Sequence, residues 1–238
     1  MSGKQRVDGQ QVFLLHSYPY SETSLVLDVF SREHGRLPVL ARGARRPRSA
    51  LRGVLIGFQR LELGWFGSGE VKTLARAEWL GGMPLLQGRC LLLGYYLNEL
   101  LLKLMQREDA HPGLFDAYAE ALRALANGAS DAAELRRFEK TLLKEIGYGL
   151  TLETDVHGAP VVPERRYAYL IERGPRAASA DEVLPTFAGK TLLDFAADDF
   201  TDPRSLMESK LLMRQLIAHQ LDGKILQSRR VFMELQEL

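Results

Sequence analysis

One cysteine, Cys90, stands among 238 residues. That excludes an intramolecular disulfide and any multi-cysteine metal site. A cytoplasmic protein is expected on that ground, and the N-terminal "MSGKQRVDGQ" lacks the apolar run of a secretory signal. No apolar stretch is long enough to span a bilayer: "LLLGYYLNELLLKLM" is interrupted by Asn98, Glu99 and Lys103 and reads as a buried helix. No membrane partner is expected. There is no Gly-rich phosphate loop, since "GSGEVKT" lacks the Gly-Lys-Ser/Thr ending, and no HExxH. The five histidines (His16, His34, His111, His157, His219) share no ligand spacing. "ETDVH" (153–157) and the Asp198-Asp199 pair are strings that polar loops contain by accident, and no nucleophile elbow occurs. These absences leave no catalytic residue, cofactor or metal to expect, and the reading is a protein that is not an enzyme.

Acidic residues are missing from one particular place. Between Arg36 and Arg52 stand six arginines (Arg36, Arg42, Arg45, Arg46, Arg48 and Arg52) and no Asp or Glu. The whole chain has a formal charge of only +1. Residues 1–80 hold 12 Lys or Arg against 7 Asp or Glu, so this third is basic and the remainder is acidic. A basic segment on a neutral chain suggests an anionic partner.

The first 80 residues read as β. "QVFLLHS" (11–17), "SLVLDVF" (24–30), "GRLPVLA" (35–41), "FQRLELGWF" (58–66) and "VKTLARAEW" (71–79) are short, alternating or β-branched runs separated by turn residues. Pro38 favours an edge position in the third. Five short strands without helical periodicity between them predict a small closed barrel of the OB type, because closure removes sheet edges. From 81 the texture turns helical. Segments 85–106, 116–128, 130–149 and 201–223 carry apolar residues at helical spacing, with Ser130 and Asp202 as N-caps and Asn127-Gly128 and Gly223 as stops. A last short helix is expected over 228–238, and 150–200 reads as an irregular insert with a short strand at 167–172. The expected fold is α+β: an OB-fold barrel over 1–80, then an all-helical domain over 81–238.

Arginine presents a planar fork suited to phosphate oxygens, and Gly43 and Pro47 shape the loop that displays it. A solvated loop kept for solubility is the alternative reading. Arg60, Lys72 and Arg76 lie on strand faces and are candidates to extend the basic path, against simple outward alternation. Of the aromatic residues Phe58, Trp65, Phe66 and Trp79, the two tryptophans are expected to fill the barrel or its seam with the helices. In "LRRFEKTLLKEIGYG", Arg136, Arg137, Lys140 and Lys144 accompany an apolar face with Phe138 and Leu142. That is either an ordinary amphipathic helix or a basic-rimmed groove for an acidic peptide.

Taken together, "LHSYPYSETSLVLDVFSREHGRLPVLARGARRPRSALRG", "GEVKTLARAEW", "YYLNELLLKL", "LRRFEKTLLKEIGYG" and "GKILQSRRVF" resemble, in order and spacing, the RecO family of bacterial recombination mediators. The resemblance covers nearly the whole chain. It implies an N-terminal OB fold and a helical C-terminal domain, and binding of single- and double-stranded DNA with annealing of complementary strands. It also implies contact with the acidic tail of single-strand-binding protein, partnership with RecR in loading the recombinase RecA, and a nucleoid-associated place in the cytoplasm. Arg136, Arg137, Phe138 and Leu142 are then the candidate tail contacts. Some members carry a four-cysteine zinc site near the segment corresponding to 150–175. Here "LTLETDVHGAPVVPERRYAYLIERG" has no cysteine, so zinc is not expected. Two other readings are an OB-containing RNA-binding factor and an enzyme whose site lies in 150–200 around Glu153, His157, Asp198 and Asp199. A third is a structural adaptor without DNA contact.

Overall fold

A computed structural model describes residues 6–236. The chain divides into two compact units, one formed by Met1–Gly128 with Leu226–Leu238 and the other by Ala129–Ile225.

The first unit is built on five strands: β1 (Arg6–Tyr20), β2 (Ser24–Ser31), β3 (Gly35–Ala41), β4 (Arg60–Phe66) and β5 (Lys72–Trp79). They close into a barrel in the order β1-β2-β3-β5-β4. The alternation seen in the sequence is what closes it. Leu14, Leu27, Val29, Leu37, Val39, Leu61, Leu63 and Trp65 point inward and are buried together. β3 meets β5 in parallel only at Val39 and Leu40, so Pro38, one residue earlier, breaks no ladder there. β1 runs longer than the sequence suggests, with a register shift between Leu14 and His16.

Three helices of the same unit, α2 (Gly88–Leu104), α3 (Pro112–Ala126) and α7 (Gln227–Gln236), accompany the barrel. Phe13 and Phe30, on the outer barrel face, stack on Phe115 of α3 with ring centroids 5.0 and 5.4 Å apart. Buried Asn98 of α2 donates to Leu15 O (2.8 Å) and accepts from the buried Tyr118 hydroxyl. A four-residue helical turn, α1 (Leu51–Val54), follows the arginine loop and has no counterpart in the sequence reading. Glu237 and Leu238, at the end of the expected last helix, lie outside the described residues.

The second unit holds α4 (Asp131–Glu145), α5 (Gly189–Ala196) and α6 (Pro203–Gln220). Asp202 caps α6 by accepting from Arg204 N at 2.9 Å, whereas Ser130 makes no side-chain cap. In addition to these helices the unit carries a three-stranded sheet, β7-β6-β8, from β6 (Arg166–Leu170), β7 (Gly174–Ala177) and β8 (Thr186–Ala188). The insert is thus ordered by a sheet as well as by helices. Its carboxylate anchor is Glu208 of α6, which accepts from Ala188 N (2.7 Å), Thr191 Oγ1 (2.9 Å), Arg204 Nε (3.1 Å) and Arg166 Nη1 (3.3 Å). Burial pushes the Glu208 pKa up, but these donors outweigh it and hold it below the usual range. Asp155, in the polar string 153–157, closes its own loop by accepting from His157 N and Ala159 N.

Candidate nucleic-acid interface

The arginine segment leaves β3 at Ala41 and passes through turns to α1. Three features fix its path. Gly43 takes a φ of +68°, a left-handed turn that suits glycine. Ala44 is buried and packs into the barrel core. Arg45 N and Arg45 Nη1 donate to Thr23 O (2.8 Å) and Ser21 O (3.2 Å), tying the loop to the β1–β2 hairpin. With its apolar residue inside, the loop turns its arginines outward. Arg42, Arg45, Arg46, Arg48 and Arg52 are all exposed. Among the described residues none of these five forms an ion pair. Four guanidinium groups on one anchored loop and a fifth, Arg52, on the following α1 make a positive surface.

The sixth arginine corrects the expectation. Arg36 is half-buried, donates to Met105 O (3.2 Å) and lies 3.7 Å from Asp28. Burial, the largest influence, pushes its pKa down, and the Asp28 carboxylate opposes this. The cause is the segment after α2, which runs beside β3 with Glu108 N donating to Arg36 O (2.9 Å). Gly35 permits that approach, since a Cβ there would fall 2.0 Å from Asp109 O. The same segment removes Lys72 from the basic path. Lys72 Nζ is 2.6 Å from Glu108 and 2.9 Å from Gly69 O, with its side chain only 16% exposed. Arg60 is half-buried against Gln11, and Arg76 is exposed but paired with Glu78.

The aromatic residues also sort themselves. Trp65 is buried, as expected for a filler, and Phe58 is buried too. Trp79 is not a filler: it stands on the last rung of the β4–β5 ladder, where the barrel ends. It is 58% exposed and donates to Gln59 at 3.2 Å. The sequence reading passed over Tyr18 and Tyr20, which are 46% and 55% exposed on β1. His16 lies against Tyr18 with ring centroids 4.4 Å apart. Burial first, then the Asp28 carboxylate, pushes the Tyr18 phenol up, while Arg36 and Arg107 pull it down. Alternation continuing through "HSYPY" was the signal that could have marked them.

In the second unit, the four residues expected to receive an acidic peptide do not form one surface. Phe138 and Leu142 are buried in the unit's interior, because the apolar face of α4 packs against other elements of that unit, α6 among them. Arg136 is also buried and pairs with Glu139 at 2.5 Å. These three positions are corrected from groove lining to interior. Arg137 alone stays accessible, paired with Glu134, with its guanidinium 5.2 Å from the Phe200 ring centroid. A separate cleft of about 360 Å³, bordered by Leu143, Tyr148, Tyr169, Ile171 and Leu216, opens elsewhere in this unit. His157, Asp198 and Asp199 do not line it. Lys140 pairs with Asp198, and Asp199 accepts from Thr201.

A closed five-stranded barrel with an arginine loop at the β1–β2 hairpin defines the class: an OB-type barrel protein with a helical extension. Comparison with known proteins narrows this. The family descriptions "Recombination protein O N terminal" and "Recombination protein O C terminal" match residues 9–83 and 87–230. A protein of Aromatoleum aromaticum named DNA repair protein RecO is 58% identical over all of both chains. Proteins of the same name from Dechloromonas aromatica and Azoarcus sp. are 54% and 55% identical, again over all of both chains. The chain belongs to the RecO family.

Proposed function

We propose that this protein is a DNA repair and recombination mediator that binds single- and double-stranded DNA through the arginine loop and anneals complementary strands. The observation that carries the reading is the set of five exposed arginines, without acidic partners among the described residues, on a loop anchored to a closed barrel and on the helical turn α1 that follows it. Guanidinium forks neutralise phosphates. That lowers the repulsion between two strands, and base pairing then supplies the free energy, so no covalent bond is made or broken and no catalytic residue is needed. The DNA surface is Arg42, Arg45, Arg46, Arg48 and Arg52, with Arg76 as an outlying member. Kinship with proteins named DNA repair protein RecO supports the choice of DNA over RNA.

The partners in this reading are the acidic tail of single-strand-binding protein, RecR, and through them RecA. Arg137 is the accessible guanidinium for the tail carboxylates. The test is annealing of complementary strands pre-coated with single-strand-binding protein. Acceleration by the wild-type chain, lost in an Arg45→Ala/Arg46→Ala/Arg48→Ala variant that still folds, is the expected result. Equal annealing by the triple variant would reject the assignment of the loop.

A further inference from the structure

The arginine loop explains attraction to any phosphate backbone, but it does not tell a single strand from a duplex. The outer face of β1 carries residues that can. Side chains two apart on a strand share a face, so His16, Tyr18 and Tyr20 point the same way beyond the shift at Leu14. The register gives their neighbours. Tyr20 is opposite Ser24 and Tyr18 opposite Val26. Leu25 is opposite Ala41, so one step further along the outer face stands Arg42. Ser24 itself accepts from Gly43 N at 3.4 Å. The two exposed tyrosines therefore begin where the arginine loop ends. At their other end lies Arg107, which is exposed, bridges to Arg36 of β3 and has Glu70 at 3.9 Å.

We propose that Tyr18 and Tyr20 are base-stacking platforms that give this barrel a preference for single-stranded over duplex DNA. The inference rests on the DNA-binding reading above and adds its selectivity. Residues two apart on a strand are separated by roughly 6.6 Å, about twice the 3.4 Å rise per nucleotide along a duplex strand. A ring repeat of that size matches unstacked bases, or one base inserted between two rings, and not a closed base-pair stack. Duplex DNA hides its base faces, whereas a single strand exposes them. Positive charge at both ends of the aromatic stretch favours nucleic acid over a neutral peptide as the occupant. The phosphates would follow Arg42 and Arg107 while the bases turn onto the tyrosines. His16, already packed on Tyr18, would hold that ring in place.

The test compares a thymidine oligonucleotide with a hairpin duplex of equal phosphate number, at fixed salt, by fluorescence anisotropy. Wild type is measured beside Tyr18→Leu/Tyr20→Leu, which keeps apolar bulk without rings, and Tyr18→Phe/Tyr20→Phe, which keeps the rings. Circular dichroism checks each fold. The Leu pair should lose single-strand affinity by on the order of tenfold for each base stacked, with duplex affinity within about twofold of wild type. The Phe pair should bind like wild type. Unchanged single-strand binding by the Leu pair would overturn the proposal, and so would a parallel loss on both DNAs or a Phe pair as weak as the Leu pair. If the Leu pair binds normally while Arg45→Ala/Arg46→Ala/Arg48→Ala binds neither DNA, the stacking idea falls and the DNA-binding reading stands. If wild type binds neither, both fall.

Discussion

Replacing Arg136 by Met should unfold the second unit far more readily than it should affect any binding reaction. The Arg136 and Glu139 side chains are 7% and 1% exposed and 2.5 Å apart. Removing one member of a buried pair leaves the other charge desolvated and costs ~3–5 kcal/mol. That is a large share of the ~5–15 kcal/mol that holds a typical domain together. With a urea dependence of ~2 kcal/mol per molar, the transition should move down by about 2 M. Replacing both residues, Arg136→Met with Glu139→Leu, removes both buried charges and should restore most of the loss. Urea titration followed by far-UV circular dichroism measures all three chains. Binding of an acidic peptide to the double variant then separates structure from recognition. If Arg136→Met kept the wild-type midpoint and the well-folded double variant lost the peptide, Arg136 would be a ligand-binding residue and its assignment to the interior would be wrong.

Other consequences concern the polar anchors. Asn98→Ala should destabilise the first unit by ~2–4 kcal/mol, because it removes the buried donor to Leu15 O and the acceptor of the Tyr118 hydroxyl; thermal unfolding of wild type and variant measures it, and a shift near zero would contradict the burial of that network. Glu208 has a folded pKa below its unfolded value of about 4.3, so its contribution is fully present above that value and is lost as pH falls through the folded pKa. The protection factor of the Ala188 amide, whose hydrogen Glu208 accepts, should therefore fall as pH drops through the folded pKa, and Glu208→Gln should show a lowered protection factor already at neutral pH. Arg36→Ala should lower thermal stability while leaving the salt dependence of DNA binding as in wild type, since its guanidinium is engaged by Met105 O and Asp28; a flattened salt dependence would return it to the interface.

The barrel was legible because its code is local. Alternation marks which residues face inward; β2 to β5 lie within about two residues of where the apolar–polar pattern placed them, while β1 extends well beyond its expected 11–17 on both sides. The arginine loop was legible for a similar reason, as charge without nearby acid. What escaped depends on segments distant in sequence. Arg36 and Lys72 look as available as Arg45, until the segment carrying Met105 and Glu108 folds back along β3. An apolar helix stripe does not say whether it is a groove or a core, and Phe138 and Leu142 proved to be core. Of the second sheet only β6, near the expected 167–172, was legible; its partners "GPRA" and "TFA" are too brief for periodicity to register. Tyr18 and Tyr20 hid inside "HSYPY", where Pro19 and small polar residues look like a turn although the strand continues through them.

The most direct measurement is the salt dependence of duplex DNA binding by wild type and by a folded Arg45→Ala/Arg46→Ala/Arg48→Ala variant. Each phosphate neutralised contributes about −0.9 to the slope of log K against log salt. If the exposed loop is the phosphate-binding surface, the variant's slope should be shallower by roughly 2–3. A variant that keeps its fold and the wild-type slope would contradict the claim and leave the loop as a charged surface with no part in binding DNA.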